Sequence, residues 1–253
     1  EHIPDDARAV ATDVASGYAV IALMGPRSRT LLGELTPEDL SSAAFPFGAS
    51  REIDLGYARV RATRMSYVGE LGWELYIPSE FAIGVYDVIA AAGESHGLVM
   101  AGYHALNSLR IEKAFRHWGH DISDEDTPLE AGLGFAVDFG KPGGFLGEAA
   151  LLQQREQPLS RRLIQFLVND PEPLLYHDEP IWRDDIRVGR TTSGMYGHSL
   201  GGAVGLGYVE HGDGVSNEFV TAGSYTIEIA GQRYPATASL SPLYDPSAKR
   251  ARG

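Results

Sequence analysis

The chain has 253 residues and a formal net charge of -13, with 43% hydrophobic and 22% charged residues. Its length suits one large domain or two ordinary ones, and its composition is typical of a soluble globular protein. The negative charge disfavours nucleic acid and anionic membranes as partners, and the absence of cysteine excludes disulfides, thiol nucleophiles and thiolate metal sites. No apolar run approaches the roughly 18 residues of a membrane-spanning helix. We expect a cytoplasmic location, or the mitochondrial matrix in a eukaryote.

Strands and helices are interleaved in the first half of the chain. An apolar run at 18–24 predicts a strand, and an alternating stretch at 57–67 predicts another. Ser79 is the expected N-cap of a helix that ends near Gly97. Further helices are predicted after Gly25-Pro26 and at 103–115 and 146–154. No repeated strand–helix rhythm indicates a parallel doubly wound sheet, so an α+β domain is the better interpretation.

The second half reads as an all-β domain. Residues 153–160 form a polar, proline-containing stretch with the character of a linker. Short β-rich runs separated by turn residues follow it, as in a compact barrel or sandwich. They lie at 162–168, 186–192, 203–209, 225–229 and 234–239, and Ala230-Gly231-Gln232 makes the last pair a hairpin. We therefore predict an α+β domain at 1–153 and a β-barrel-like domain at 161–253.

The segment 66–78, Ser-Tyr-Val-Gly-Glu-Leu-Gly-Trp-Glu-Leu-Tyr-Ile-Pro, carries the strongest functional signal. Gly69 and Gly72 permit a tight bend or a bulge, and apolar and polar side chains then alternate as in a half-buried strand. Two carboxylates, Glu70 and Glu74, lie on this bend and strand. A carboxylate held on a strand beside a bend is well placed to bind a ligand.

Residues 197–201, Gly-His-Ser-Leu-Gly, match the G-x-S-x-G nucleophile elbow of serine hydrolases. That elbow needs a helix after the serine, whereas the residues after this motif predict a strand. The last histidine, His211, also lies ahead of Asp213, which is not the order of an acid followed by a histidine that the hydrolase fold uses. A serine hydrolase acting through Ser199 is a minor alternative.

His117 and His120 are three residues apart and close to Asp121, a spacing that a metal pair on one helical face could use. A solvated loop with a histidine at a helix end is the preferred interpretation. We predict no metal site.

Six blocks of the chain fall in the order seen in the glycine-cleavage T-protein (aminomethyltransferase) family, which the chain therefore resembles. They are 66–78, 107–113, 127–132, 145–151, 192–194 and 199–201. The sequence of residues 110–119 is most similar to that of the folate-binding C-terminal part of dimethylglycine and sarcosine dehydrogenases or oxidases. The resemblance covers nearly the whole chain. It implies a mixed-sheet folate-binding α+β domain, a partial aminomethyltransferase fold, followed by a small C-terminal β-barrel.

The resemblance implies a tetrahydrofolate site in which a strand carboxylate pairs with the pterin ring, and motif position assigns this role to Glu74. A carboxylate can accept two parallel hydrogen bonds from a pterin N–H and its exocyclic amine. Tyr67 and Tyr244 match family tyrosines near the folate, and Arg110 and Glu70 are further candidates. Each has a structural alternative: Glu70 could stabilise the bend, Tyr67 could pack on the strand, and Arg110 could form an ion pair.

Two departures from the family pattern limit what carries over. Leu106 stands where many aminomethyltransferases have an arginine that contacts the folate tail, so the tail contact is unassigned, as in the oxidase-like branch. The family's opening region, which holds the catalytic aspartate, has no counterpart before Glu1. The chain resembles a truncated piece, and no catalytic residue is assigned.

The function implied by the resemblance is a one-carbon transfer module. It would capture a methylene group from an N-methyl amine of the dimethylglycine or sarcosine type on tetrahydrofolate, as 5,10-methylenetetrahydrofolate. The expected partners are folate, the amine or its iminium, and an upstream flavin domain; FAD is expected only if that separate domain exists. The alternatives are a stand-alone glycine-cleavage-type aminomethyltransferase and a non-catalytic folate-binding protein.

Overall fold

The computed structural model describes residues 3–253, which form two compact units. One comprises the residues up to Met100 together with Ala248–Gly253, and the other comprises Ala101–Ser247. The strands are β1 (Tyr18–Met24), β2 (Ser50–Leu55), β3 (Ala58–Thr63), β4 (Gly72–Pro78), β5 (Arg161–Val168), β6 (Pro180–Arg183), β7 (Ile186–Gly197), β8 (Gly202–Glu210), β9 (Tyr225–Ile229) and β10 (Gln232–Ser239). The helices are α1 (Ser28–Leu35), α2 (Ala82–His96), α3 (Tyr103–Glu112), α4 (Glu148–Arg155), α5 (Asn217–Ala222) and α6 (Lys249–Arg252).

The first unit is an antiparallel four-stranded sheet with the strand order β1-β4-β3-β2. Its core lies on one face of the sheet, where Leu75 and Ile77 of β4 pack with Leu32 of α1 and Ile89 of α2. Trp73 is also fully buried, and its ring meets Phe45 edge-on at 6.1 Å. The opposite face carries the half-buried polar residues of β4, because side chains alternate along a strand.

The second unit contains a closed antiparallel barrel with the strand order β10-β5-β8-β7-β6-β9. Its interior is apolar and includes Ile164 and Phe166 of β5 and Ile227 of β9. Helix α3 packs on the outside of β7 and β8. The predicted α+β class with a C-terminal barrel is confirmed.

Several local predictions hold and others do not. The turn at Ala230-Gly231 has positive φ at both residues, as a tight hairpin requires, and it joins β9 to β10. The helix predicted at 103–115 ends at Glu112, because Ala114 adopts a left-handed φ of 53°. Ser79 does not cap α2; its hydroxyl instead donates to the Ser16 carbonyl at 3.0 Å.

The predicted domain limits, 1–153 and 161–253, stay a prediction. The compact units divide after Met100, and α3 with the segment that follows it belongs to the barrel unit. None of the helices within residues 3–253 has the length and apolar character that crossing a bilayer requires.

Candidate functional site

Glu74 lies on the face of β4 that points away from the helices. Its neighbours along the strand, Trp73 and Leu75, are completely buried, whereas Glu74 is half-buried. Its cross-strand neighbours are Ala22 on β1 and Thr63 on β3. Both have small side chains, so the carboxylate is not covered by either neighbouring strand. The predicted alternation places this acid on the open face of the sheet.

Tyr76 shares this face with Glu74, two residues further along β4. Its hydroxyl donates a hydrogen bond to Oε2 of Glu74 at 2.8 Å. This hydrogen bond, together with partial burial, raises the pKa of Tyr76. Within residues 3–253, no hydrogen bond reaches Oε1 of Glu74, so most of the acceptor capacity of the carboxylate remains available. Sequence reasoning did not single out Tyr76, although the strand period that selected Glu74 selects it too.

The bend before β4 depends on two glycines for two different reasons. Gly69 has a left-handed φ of 80°, which favours glycine. Gly72 is needed for close approach, since a Cβ there would lie 2.4 Å from the Leu23 carbonyl oxygen. Tyr67 is half-buried within the bend and is not part of a strand. The bend thus fixes where β4 begins and which way Glu74 faces.

Glu70 is occupied by an ion pair within the first unit. Its Oε1 accepts a hydrogen bond from Arg250 of α6 at 3.0 Å, and 19% of its side chain is exposed. A neighbouring contact also holds the C-terminal segment, because the buried Arg64 donates to the Arg252 carbonyl. This arrangement favours the structural alternative for Glu70, although its predicted ligand role remains untested.

Arg110 forms a buried ion pair in the second unit. Its guanidinium is 1% exposed and donates to Asp121 at 2.5 Å, while the Asp121 side chain is 0% exposed. Asp121 also accepts hydrogen bonds from the hydroxyls of Thr192 and Ser193 on β7 and from the backbone N–H of His117. These contacts tie α3 and the following loop to the barrel. They favour a structural role for Arg110. Its predicted direct contact with a ligand remains untested.

The serine of the hydrolase-like motif lies in a hairpin turn. Residues 198–201 connect β7 to β8, so a strand follows Ser199 where a nucleophile elbow has a helix. The backbone N–H of Ser199 donates to Oε1 of the buried Glu112 at 2.6 Å. A Cβ at Gly197 would lie 2.7 Å from Val204 and 3.1 Å from this oxygen, which explains the glycine. The motif here serves hairpin packing against α3.

Tyr244 lies in a half-buried, irregular segment between β10 and α6. The residues on either side of it are held by buried side chains. Gln165 accepts a hydrogen bond from the Leu243 N–H at 2.7 Å, and Lys113 pairs with the carboxylate of Asp245 at 3.1 Å. Neither Gln165 nor Lys113 was predicted, because each lies far in sequence from the segment that it contacts.

A cleft of about 1030 Å³ opens in the second unit between the loop at 119–126 and the barrel. Charged residues of both signs line it, and several of these form ion pairs, such as Arg161 with Asp126 at 2.6 Å. Burial raises the pKa of Tyr208 in its wall, and the Arg161 guanidinium stacks on that ring at 4.9 Å. None of the five predicted site residues lines this cleft.

His117 and His120 lie next to each other near Asp121. The rings of His117 and His120 pack against each other with centroids 4.6 Å apart, and both oxygens of Asp121 are engaged as described above. Within residues 3–253, no group of three or more metal-ligating side chains occurs. Burial lowers the pKa of His117, aided by the nearby Arg110 charge.

Two family models match the chain side by side. The GCVT N-terminal domain matches residues 1–141, and the glycine cleavage T-protein C-terminal barrel domain matches residues 161–245. The second match coincides with the barrel strands β5 to β10. The chain is also similar over 90% of its length to the crystal structure of glycine cleavage system aminomethyltransferase T from Bartonella henselae, with a TM-score of 0.76 and 24% identity, covering 60% of that chain. This likeness supports the fold.

Three relatives align with almost all of the chain. A 4-methylaminobutanoate oxidase (formaldehyde-forming) from Paenarthrobacter nicotinovorans is 43% identical over 95% of the chain, which spans 28% of that protein. The mitochondrial sarcosine dehydrogenase of Homo sapiens is 42% identical over 95% of the chain, which spans 26% of it. The mitochondrial pyruvate dehydrogenase phosphatase regulatory subunit of Mus musculus is 38% identical over 96% of the chain, which spans 29% of it.

The chain thus corresponds to a little over a quarter of each of these relatives, and it carries matches to both family domains in the family's order. Its sheet unit and its closed barrel agree with the solved family structure. The chain belongs to the glycine cleavage T-protein family.

Proposed function

We propose that this chain is a tetrahydrofolate-binding module for one-carbon transfer. The observation that carries this proposal is Glu74, a half-buried carboxylate on an uncovered sheet face with one oxygen free of protein hydrogen bonds in residues 3–253. Acids that serve structure elsewhere in the chain, such as Asp121 and Glu112, are instead buried and bonded to protein donors. An acid with spare acceptor capacity on an open face suits a ligand that presents paired donors.

A pterin ring presents such donors, an N–H and an exocyclic amine side by side. A carboxylate can accept both in parallel, which fixes the orientation of the ring and strengthens the contact through its charge. The Tyr76 hydroxyl would hold the Glu74 carboxylate in place by its hydrogen bond to Oε2. The donor and acceptor chemistry on this face therefore fits tetrahydrofolate. Tyr67, in the same unit, is proposed as an aromatic contact to this ligand, and a ligand role for Tyr244 stays a prediction.

The carbon source proposed is an N-methyl amine or its iminium. Two of the relatives are named for such amines, 4-methylaminobutanoate and sarcosine. Tetrahydrofolate would take up the iminium carbon on its two amines as 5,10-methylenetetrahydrofolate, and the demethylated amine would leave carrying the two protons that these amines lose. The contribution of this chain's residues is to bind and orient the folate, since a reacting amine held in place gains a large entropic advantage. A flavin domain elsewhere in a longer protein is the proposed origin of the iminium.

A non-catalytic role is the second candidate. The similarity to a phosphatase regulatory subunit, at 38% identity over 96% of the chain, shows that this module also occurs in a protein named for regulation. In that case the chain would bind folate or another ligand without transfer of a carbon unit. Formation of 5,10-methylenetetrahydrofolate from an N-methyl amine by the full-length protein separates the two candidates.

The test of the proposal is calorimetric titration of the 253-residue chain with 5-formyltetrahydrofolate, a stable folate. We expect saturable binding that Glu74→Ala abolishes. Glu80→Ala is the matched control, because Glu80 is an exposed acid of the same unit, close to the end of β4. No binding signal at millimolar ligand would refute the proposal, and equal affinities for the wild type and Glu74→Ala would refute the assignment of Glu74.

A further inference from the structure

We propose that Val20 and Ala22 of β1 form the apolar floor on which the pterin ring of the ligand rests. These two residues are called the β1 strip below. The inference rests on the proposed folate function and deepens it, because Glu74 is the group that would bind the edge of the ring. It concerns the first unit alone, in which β1 and β4 are neighbouring strands.

The strand register places the β1 strip directly beside the candidate ligand residues. Ala22 lies opposite Glu74, and Val20 lies opposite Tyr76. Side chains that face each other in an antiparallel pair project from the same side of the sheet, with Cβ atoms about 4.5–5.5 Å apart. Leu23, the next residue of β1, packs into the core on the other side. The β1 strip is therefore on the open face and borders the Glu74 carboxylate.

The β1 strip is apolar surface that the protein leaves exposed. Val20 is 55% exposed, and Ala22 is exposed as well. β1 is at the edge of the sheet, so within residues 3–253 no further strand borders the strip on its outer side. Ligand sites combine apolar walls with a few polar groups that fix orientation. A pterin ring suits this combination, because its faces can stack on apolar groups while its N–H donors lie on its edge.

The opposite flank of Glu74 is polar, and its groups are already bonded. Thr63 on β3 lies opposite Glu74, and its hydroxyl shares a hydrogen bond of 2.9 Å with that of Ser50. Arg61 on the same strand pairs with Glu52 at 3.1 Å. A ring placed over these groups would take them out of water without offering new bonds in return, which is unfavourable. The apolar flank is therefore the favourable place for the ring.

The small size of Ala22 leaves space beside the carboxylate. Its side chain ends at Cβ, whereas that of Glu74 extends two carbons further before it reaches the carboxylate oxygens. Because side chains stand roughly perpendicular to a sheet, the space above the Ala22 methyl group is bordered by the carboxylate. A ring resting there presents its edge to Glu74. A larger residue at position 22 would fill this space, so Ala22 would also limit which ligands can reach Glu74.

The experiment compares opposite, shape-conserving exchanges on the two flanks of Glu74 in the 253-residue chain. The Kd for 5-formyltetrahydrofolate and the thermal midpoint without ligand are measured for each variant. Val20→Thr replaces one methyl group of the floor by a hydroxyl and should raise the Kd about 3–5-fold. Thr63→Val, the matched control on the polar flank, should leave the Kd unchanged. Ala22→Leu fills the space beside the carboxylate and should raise the Kd by about 10-fold or more.

The outcomes separate this inference from the function on which it rests. If the wild type binds and both Val20→Thr and Ala22→Leu keep its Kd, the β1 strip is not the floor and the folate function stands. A Kd that changes as much in Thr63→Val as in Val20→Thr also overturns the inference, since the ring would then not prefer the apolar flank. A wild type that does not bind overturns both. If Ala22→Leu does not fold, Val20→Thr decides, because it conserves the shape of the side chain.

Sedimentation of the ligand-free chain tests the other way of covering an apolar edge strand, which is a second copy of the chain. We expect a monomer. A dimer that Ala22→Leu dissociates and that saturating ligand does not would mean that the β1 strip is an interface between copies. That result would overturn the assignment of the strip to the ligand and leave the binding role of Glu74 to its own test.

Discussion

The open face of the sheet and the buried joint, where α3 packs on the barrel, contain the same types of residue. These residues have different roles in the two places. In the joint, Asp121 accepts hydrogen bonds from Arg110, two hydroxyls and a backbone N–H, so its capacity is used within the protein. On the sheet, Glu74 receives one hydrogen bond, from Tyr76. Available acceptor capacity, more than the presence of a charge, therefore separates a candidate ligand residue from a structural one.

The largest expected effect concerns the buried ion pair. Asp121→Asn leaves the Arg110 charge buried without its partner and should lower the free energy of unfolding by about 3–5 kcal/mol. Urea denaturation measures the change. Asp54→Asn is the control, because Asp54 pairs with Arg59 on the surface, where an ion pair contributes about 0–1 kcal/mol. If the two variants lose similar stability, the structural assignment of the joint is wrong.

A smaller effect is expected from Tyr76→Phe, which removes the hydrogen bond that orients Glu74. The affinity for 5-formyltetrahydrofolate should fall by roughly 2–10-fold, as for one ordinary hydrogen bond. Tyr18→Phe, at an exposed position on β1, is the control. Improved binding by Tyr76→Phe would mean that Tyr76 competes with the ligand.

The pH dependence follows from the direction of the Tyr76 pKa shift. Its pKa is raised above the ordinary value of 10.0, so the neutral phenol is favoured in the folded protein. The hydrogen bond to Glu74 is therefore fully present below the ordinary pKa and is lost as the pH rises through the raised value. Affinity should not change through Tyr76 between about pH 7 and pH 9. A loss of affinity in that interval that is absent in Tyr76→Phe would contradict this.

The smallest effect is expected at Ser199. Ser199→Ala should change the free energy of unfolding by less than about 0.5 kcal/mol, because the contact with Glu112 uses the backbone N–H and survives the substitution. An activated-ester assay should give the same background rate for the variant and the wild type. A rate that disappears with Ser199→Ala would revive the hydrolase alternative.

Local patterns predicted part of this structure, and the limits have physical causes. The β9–β10 hairpin followed from its turn residues, and the face of Glu74 followed from the strand period. Strand β2 was missed because its sequence begins with three polar residues, which point to solvent or lie at the sheet edge. The barrel was predicted from several short strands, whereas its closure depends on pairings between distant segments.

The buried joint shows why the roles of polar residues are harder to predict. The partner of Arg110, Asp121, lies beyond a chain reversal that no periodic pattern encodes. Glu112 turns out to receive the backbone of the Gly-His-Ser-Leu-Gly hairpin, 87 residues away in sequence. The strand after Ser199 was predicted from the sequence, whereas the ion pair and the contact of Ser199 with Glu112 could not be assigned without the fold.

The most direct measurement compares Glu74→Gln with Glu112→Gln for both stability and folate affinity. Losing hydrogen bonds to a charged acceptor costs about 1.5–3 kcal/mol, or roughly a 10–100-fold change in an equilibrium. Glu74→Gln should raise the Kd for 5-formyltetrahydrofolate by this factor and leave the free energy of unfolding nearly unchanged. Glu112→Gln should instead lower the free energy of unfolding by this amount. If Glu74→Gln destabilises the fold and leaves the Kd unchanged, the open-face carboxylate is structural and the folate assignment is wrong.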